Sequence, residues 1–245
     1  MGFTFSGICA IMKKVTVRTD REAFWKGEKR DMRIIDLTHT VKENMPVYPG
    51  TEPPRLQTVS TCERDMFKET KLSMYSHTGT HVDAPAHVFA DKRSLDAFPA
   101  SQFMGQALVI DCTALREGEE ITMAQLSPYG DRIAQAEFLL FHLGWDEKWG
   151  TDAYFGDYPC LGEDVMELIL AGNYKGIGFD VIGLDPVRYD QLKRHRMLFS
   201  QKEIINIENL CNLGLCGKEL FLFACLPLKF ENADGAPARA VAYLT

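Results

Sequence analysis

The chain has 245 residues, 46% of them hydrophobic and 25% charged, enough for a sizeable core and unlike a disordered or fibrous composition. Twenty-seven Lys and Arg against 34 Asp and Glu leave a net charge of -7, which argues against a broad nucleic-acid surface. The longest apolar runs, near Phe138–Phe141 and Leu220–Leu228, fall well short of the roughly 18 residues a membrane span needs.

The N-terminal stretch differs from the rest of the chain. Gly2 to Ile11 is mildly apolar without the basic and hydrophobic regions of a signal peptide, and Lys13 to Asp31 is charged and patternless. Residues 1–31 are therefore expected to be a loosely packed arm, with Met12 or Met32 as alternative starts, ahead of one domain over residues 32–245. Short runs rich in Val, Ile, Leu and Phe then predict strands at Arg33–Leu37, Leu56–Ser60, Thr70–Tyr75, Ala107–Cys112, Glu137–His142, Gly176–Asp180, Glu203–Glu208, Glu219–Leu226 and Ala238–Tyr243. Between them, helices are predicted over Thr122–Tyr129, opened by a Thr cap, over Gly162–Ala171, and over Pro186–Phe199. Strands and helices mixed without strict βαβ regularity predict an α/β fold with a mixed sheet in a single domain.

Seven scattered cysteines, with no C-x-x-C pair and several in apolar stretches, suit a reducing, cytoplasmic setting better than a disulfide scaffold. Cys211 and Cys216 are a poorly spaced zinc candidate.

Three of the six histidines fall in Ser76-His77-Thr78-Gly79-Thr80-His81-Val82-Asp83-Ala84-Pro85-Ala86-His87. His77, His81, Asp83 and His87 share one parity, so an extended chain turns all four to one face, whereas a helix would spread them. A straight strand would hold His77 and His87 about 33 Å apart, so the chain must bend, and Gly79 and Pro85 permit it. Two imidazoles and a carboxylate suit Zn²⁺ or Mn²⁺ with positions left open for water and substrate. The bland alternative, unrelated surface histidines in a loop, sits poorly with such clustering. His39 and His142 are expected to be structural or to lie behind the site, with His39 near its entrance.

His77-Thr-Gly-Thr-His81-Val-Asp83-Ala-Pro-Ala-His87 resembles the H-x-G-T-H-x-D-x-P-x-H motif of the metal-dependent cyclase-type hydrolases, which include bacterial kynurenine formamidases and isatin hydrolases. Ile35-Asp36-Leu37-Thr38-His39, Met45-Pro46-Val47-Tyr48-Pro49-Gly50 and Gly235-Ala236-Pro237-Ala238-Arg239 agree with it. The resemblance runs from about Arg33 to the end and implies a swivelling β/β/α fold. It implies a first divalent ion on His77, His81 and Asp83, and a second on Asp83, His195 and Glu208, as Zn²⁺ or Mn²⁺. His87 matches the catalytic histidine, a general acid and base; the alternative is a third ligand to the first ion. Tyr48 stands where formamidases commonly carry a substrate-packing Trp, and Gly178-Phe179-Asp180-Val181-Ile182-Gly183-Leu184-Asp185-Pro186 also departs from the formamidase pattern, leaving the substrate open. Tyr48, Phe67 and Phe89 are candidate pocket aromatics.

The activity implied is hydrolysis of an amide-like C–N bond in an aryl formamide or cyclic amide, by a homodimer or homotetramer acting on a small molecule, with neither nucleic acid nor membrane as partner. Two rivals are a non-haem Fe(II) oxygenase using His81, Asp83 and His195, which predicts a β jelly roll, and a non-catalytic metal-binding protein, against which a deep apolar pocket would speak.

Overall fold

In the computed structural model, residues 32–188 and 191–244 are described; the expected arm over residues 1–31, with Cys9, lies outside them. Eight strands form one mixed sheet. They are β1 (Arg33–Asp36), β4 (His81–Asp83), β5 (Met104–Asp111), β7 (Phe138–His142), β9 (Gly176–Phe179), β10 (Ile205–Glu208), β11 (Phe221–Pro227) and β12 (Gly235–Leu244). Their order is β1-β12-β11-β5-β7-β9-β10-β4, and β4 pairs again with β12, so the sheet closes on itself with β1 attached outside the ring. β5, β7, β9 and β10 run parallel to their neighbours within that series, while β4, β11 and β12 are antiparallel. Two short pairs stand apart: β2 (Arg55–Ser60) with β3 (Glu69–Ser73), and β6 (Glu120–Ile121) with β8 (Cys160–Leu161).

The period-two rule explains why the central strands are apolar throughout. Ala107, Val109, Phe138 and Leu140 face one core with Ile205, Ile207, Phe223, Cys225 and Ala240. Their neighbours Leu108, Ile110, Leu139 and Phe141 face a second core, where they meet Val165, Met166, Ile169, Leu198 and Phe199. These last five come from the two longest helices, α4 (Glu163–Ala171) and α5 (Lys193–Gln201). Helices α1 (Cys62–Asp65), α2 (Met123–Leu126) and α3 (Arg132–Gln135) are single turns. Gly176 and Gly178 on β9 make room for large neighbours: a Cβ would lie 2.7 Å from Phe138 at the first and 2.9 Å from Leu140 at the second.

All nine expected strands are present, with ends shifted by a few residues. The Thr122 cap is real: its hydroxyl accepts from the backbone of Ala124, and the Gln125 side chain answers the backbone N–H of Thr122. One expectation is corrected. The helix read from Pro186 begins only at Lys193, after Leu192 in a left-handed conformation at φ 48°. The reason is that the Asp185 carboxylate, outside the helix, takes the N–H groups of Arg194 and His195, which are then not available to carry the helix ladder further back. The parallel core also removes the jelly roll that the oxygenase reading required.

No helix among the described residues is long and apolar enough to cross a membrane. The six described cysteines are free, and none belongs to a group able to hold a metal, so Cys211 and Cys216 form no zinc site there. Burial pushes the thiols of both up to about 12.

Candidate metal centre

Strand β4 is only three residues long, yet it is clamped on both sides. Asp83 lies opposite Asn206 and His81 opposite Glu208 on β10, while Gly235 and Pro237 of β12 face the same two residues from the other edge. Alternation therefore turns His81, Asp83, Asn206 and Glu208 to one face and sends Val82 and Ile207 into the core. Gly79, at φ 65°, makes the turn that brings His77 back onto Asp83, a conformation that Gly adopts without strain. His87 follows on a short 3-10 turn, Pro85–His87.

Three imidazoles each fix their outer nitrogen and present the inner one to the carboxylates. Nδ1–H of His81 donates to the Gly79 carbonyl at 2.8 Å. Its Nε2, buried and without a hydrogen-bond partner, faces Asp83 Oδ1 at 3.2 Å and Glu208 Oε2 at 3.4 Å. His195, on α5, donates from Nδ1 to Asp185 at 2.7 Å and aims Nε2 at Glu208 Oε1 (3.3 Å) and Asp83 Oδ2 (3.6 Å). His77 lies 2.7 Å from Asp83 by Nδ1 and 3.0 Å from Asp234 by Nε2. Outer partners of this kind set the tautomer that leaves the inner nitrogen bare for a metal.

That bare nitrogen decides whether the residues fit an ion. With its proton committed to Gly79, His81 turns a lone pair toward two carboxylate oxygens. Three acceptors facing one another in a buried space call for a positive charge between them, which a divalent ion would supply. Two groups of ligand atoms are close enough to hold one, His77-His81-Asp83 and Asp83-His195-Glu208, and Asp83 is common to both.

The electrostatics point the same way. Burial opposes charge on Asp83, but His81, His77 and the hydrogen bond from His195 outweigh it and hold its pKa well below the usual carboxylate range. Burial likewise opposes charge on His77, yet Asp83 and Asp234 raise its pKa to about 10. His195 is raised well above the ordinary imidazole value by Asp185, Asp83 and Glu208, again against burial. His87 goes the other way: burial lowers its pKa, Asp83 offsets this in part, and His77 and His195 add to it. Its ring stands 4.0 Å from that of His77 and 5.8 Å from that of His195. It groups with His77 and Asp234 rather than with His81 and Asp83.

All six residues that the motif and its resemblance single out thus come together, and five of them (His77, His81, His87, His195 and Glu208) line a cavity of about 500 Å³. Pro46, Val47, Tyr48, Ile182 and Leu192 form its apolar walls. Of the three candidate aromatics only Tyr48 lines it. Phe67 is exposed elsewhere, and Phe89 packs beneath Arg196. His39 stacks on Trp149 at 3.9 Å and is not a wall of the cavity. His142 neighbours Asp146 and Asp180, but the Asp180 carboxylate is already taken up by the N–H groups of Leu143, Gly144 and Trp145.

The structure adds Asp185, Asn206 and Asp234, to which sequence reasoning assigns no role. Asp185 had a local signal, an acid followed by Pro ahead of a helix. Asn206 shares a strand face with Glu208 two residues away, which would have marked it.

Residues 35–186 match the family model described as putative cyclase. That is more than half of the chain. It belongs to the putative cyclase family. Within that family the chain is 29% identical over 218 residues to a kynurenine formamidase of Salinibacter ruber, covering 86% of this chain and 97% of that one. It is 32% identical over 215 residues to an uncharacterized protein of Methanocaldococcus jannaschii, covering 87% and 100%. An isatin hydrolase A from Labrenzia aggregata, solved bound to benzyl benzoate, superimposes with a TM-score of 0.78 at 25% identity, over 87% of this cyclase-family chain and 94% of that structure.

Proposed function

We propose that this cyclase-family protein is a metal-dependent hydrolase of an amide-like C–N bond in an aryl formamide, such as N-formylkynurenine, or a cyclic amide, such as isatin. The observation that carries the reading is the buried, unpartnered Nε2 of His81, which faces two carboxylates at the floor of an apolar cavity. His77, His81 and Asp83 would hold one divalent ion, and Asp83, His195 and Glu208 a second, each Zn²⁺ or Mn²⁺. Such ions supply Lewis-acid polarisation of a carbonyl and acidify water.

The chain's own residues do the rest. His87, kept neutral near pH 7 by its lowered pKa, accepts a proton from the attacking water and passes it to the departing nitrogen. Tyr48 offers an aromatic face to the substrate ring, with Val47, Ile182 and Leu192 excluding water around it. Neither Lys nor Arg is found among the described residues lining the cavity, so its walls grip the aryl amide or lactam through apolar and aromatic contact rather than a side-chain cation.

The same reading assigns residues 1–31 to an extension and residues 32–245 to the hydrolase domain. It makes the protein a homodimer or homotetramer, supported by the hairpin of β2 and β3, which buries no residue and leaves Met66, Phe67 and Leu72 exposed. A reducing, cytoplasmic setting agrees with the six free cysteines.

The test strips the purified protein of metal, reloads it with Zn²⁺ or Mn²⁺, and follows hydrolysis of isatin and of N-formylkynurenine. Metal-dependent turnover is expected, reduced about 10²- to 10⁴-fold in His87→Ala at unchanged metal content. A chain that binds no divalent ion refutes the reading.

A further inference from the structure

We propose that Asn206 is a positioning residue: its amide sets the separation of the Asp83 and Glu208 carboxylates, and so the affinity for the ion those two share with His195. The inference rests on the two-ion reading above and goes beyond it. Asn206 is fully buried on β10, directly across from Asp83 and two residues before Glu208. Its Nδ2 donates to Asp83 Oδ2 at 2.9 Å and to Glu208 Oε1 at 2.8 Å. These are the same two oxygens that His195 Nε2 faces at 3.6 and 3.3 Å. Both amide protons are thereby spent on the two carboxylates, while Oδ1 is buried with no partner.

An asparagine there is a poor choice for stability alone. Its strand neighbours Ile205 and Ile207 are apolar core, and a buried acceptor left unbonded is unfavourable. What the amide accomplishes is specific. Two buried carboxylates placed side by side repel and would swing apart. A single NH₂ group bonded to both holds them at one spacing, with Asp83 Oδ1 and Glu208 Oε2 left toward His81. The backbone N–H of Leu184, also on Glu208 Oε1 at 2.8 Å, fixes the glutamate but cannot set its distance from Asp83.

The experiment titrates metal-stripped wild-type, Asn206→Leu and Asn206→Ser proteins with Zn²⁺ against a chromophoric chelator, with circular dichroism to check folding. The wild-type chain should take up two equivalents. Asn206→Leu keeps the shape and loses both donors, so it should keep one tight ion and bind the other at least about tenfold more weakly, within the range found for residues that support metal ligands. Asn206→Ser keeps one donor and should fall between, and it carries the test if the Leu variant does not fold. Two equally tight ions in a folded variant overturn the positioning role and leave the two-ion reading standing. Fewer than two ions in the wild type overturn the two-ion reading itself. Loss of both ions together from a folded Leu variant also refutes the proposal, because it marks a general structural role.

Discussion

Replacing Asp185 with Asn should cripple the His195 side of the centre through a change of proton position. The carboxylate of Asp185 accepts four bonds: the N–H of Arg194 at 2.8 and 3.1 Å, the N–H of His195 at 3.1 Å, and Nδ1–H of His195 at 2.7 Å. An amide has one acceptor and one donor. If its oxygen takes the place of Oδ1 and keeps the N–H of Arg194, its NH₂ takes the place of Oδ2, meets the N–H of His195 and points at His195 Nδ1, which must become the acceptor. The imidazole proton then moves to Nε2, where it blocks the lone pair aimed at Asp83 and Glu208. If the amide turns over, its NH₂ faces the N–H of Arg194 instead. Either way a charge-assisted bond and part of a helix cap are lost, together about 2–3 kcal/mol. For a chain of this size that corresponds to a fall in Tm of roughly 5–10 °C. Calorimetry of metal-stripped protein measures the first effect, and metal titration the second, expected as a loss of about 10–100-fold for one of two ions. Unchanged affinity for both ions in Asp185→Asn would refute the reasoning.

Three further outcomes are expected from the same geometry. At Gly235 a Cβ would fall on the His77 ring, so Gly235→Ala should weaken the ion held by His77, His81 and Asp83 by at least about tenfold, read by metal titration. Zn²⁺ at about a hundred times its Kd should add about 2.7 kcal/mol to stability and raise Tm by roughly 5–10 °C, an increment that a chelator removes. His39 is pushed by burial from 6.5 down to about 4, so between those values the unfolded chain binds more protons and stability falls as pH drops, levelling off below about 4. Discounted for partial solvent exposure this is about 1–2 kcal/mol. His39→Phe keeps a ring against Trp149 and should lose that much less between pH 7 and 4.5 in denaturant unfolding.

The strands were legible because β5, β7, β9 and β11 are buried apolar runs whose composition announces them. The three-residue β4 and the two-residue β6 and β8 were not, being too short for any period to register. The late start of α5 was also hidden, because the competing acceptor, Asp185, lies eight residues upstream of Lys193. In the candidate site, the segment from His77 to His87 stood out through its own spacing, whereas His195 and Glu208 emerged only through the family resemblance. Asn206 had only its two-residue spacing from Glu208 as a local signal, and Asp234 had none. What gives them their place is distant contact: Asn206 meets Asp83 through strand register across 123 positions, and Asp234, just ahead of β12, meets His77 across 157.

Those separations also set an order of events. The segment carrying His77, His81, Asp83 and His87 leaves the ribosome early, but both edges of β4 are supplied by strands from the last fifth of the chain. The ring of strands therefore cannot close, and the ion-holding face cannot assemble, until synthesis is nearly complete. Until then the histidines lie apart on an open chain, so uptake of the ions proposed above would be coupled to the closing of the ring rather than to the appearance of the motif.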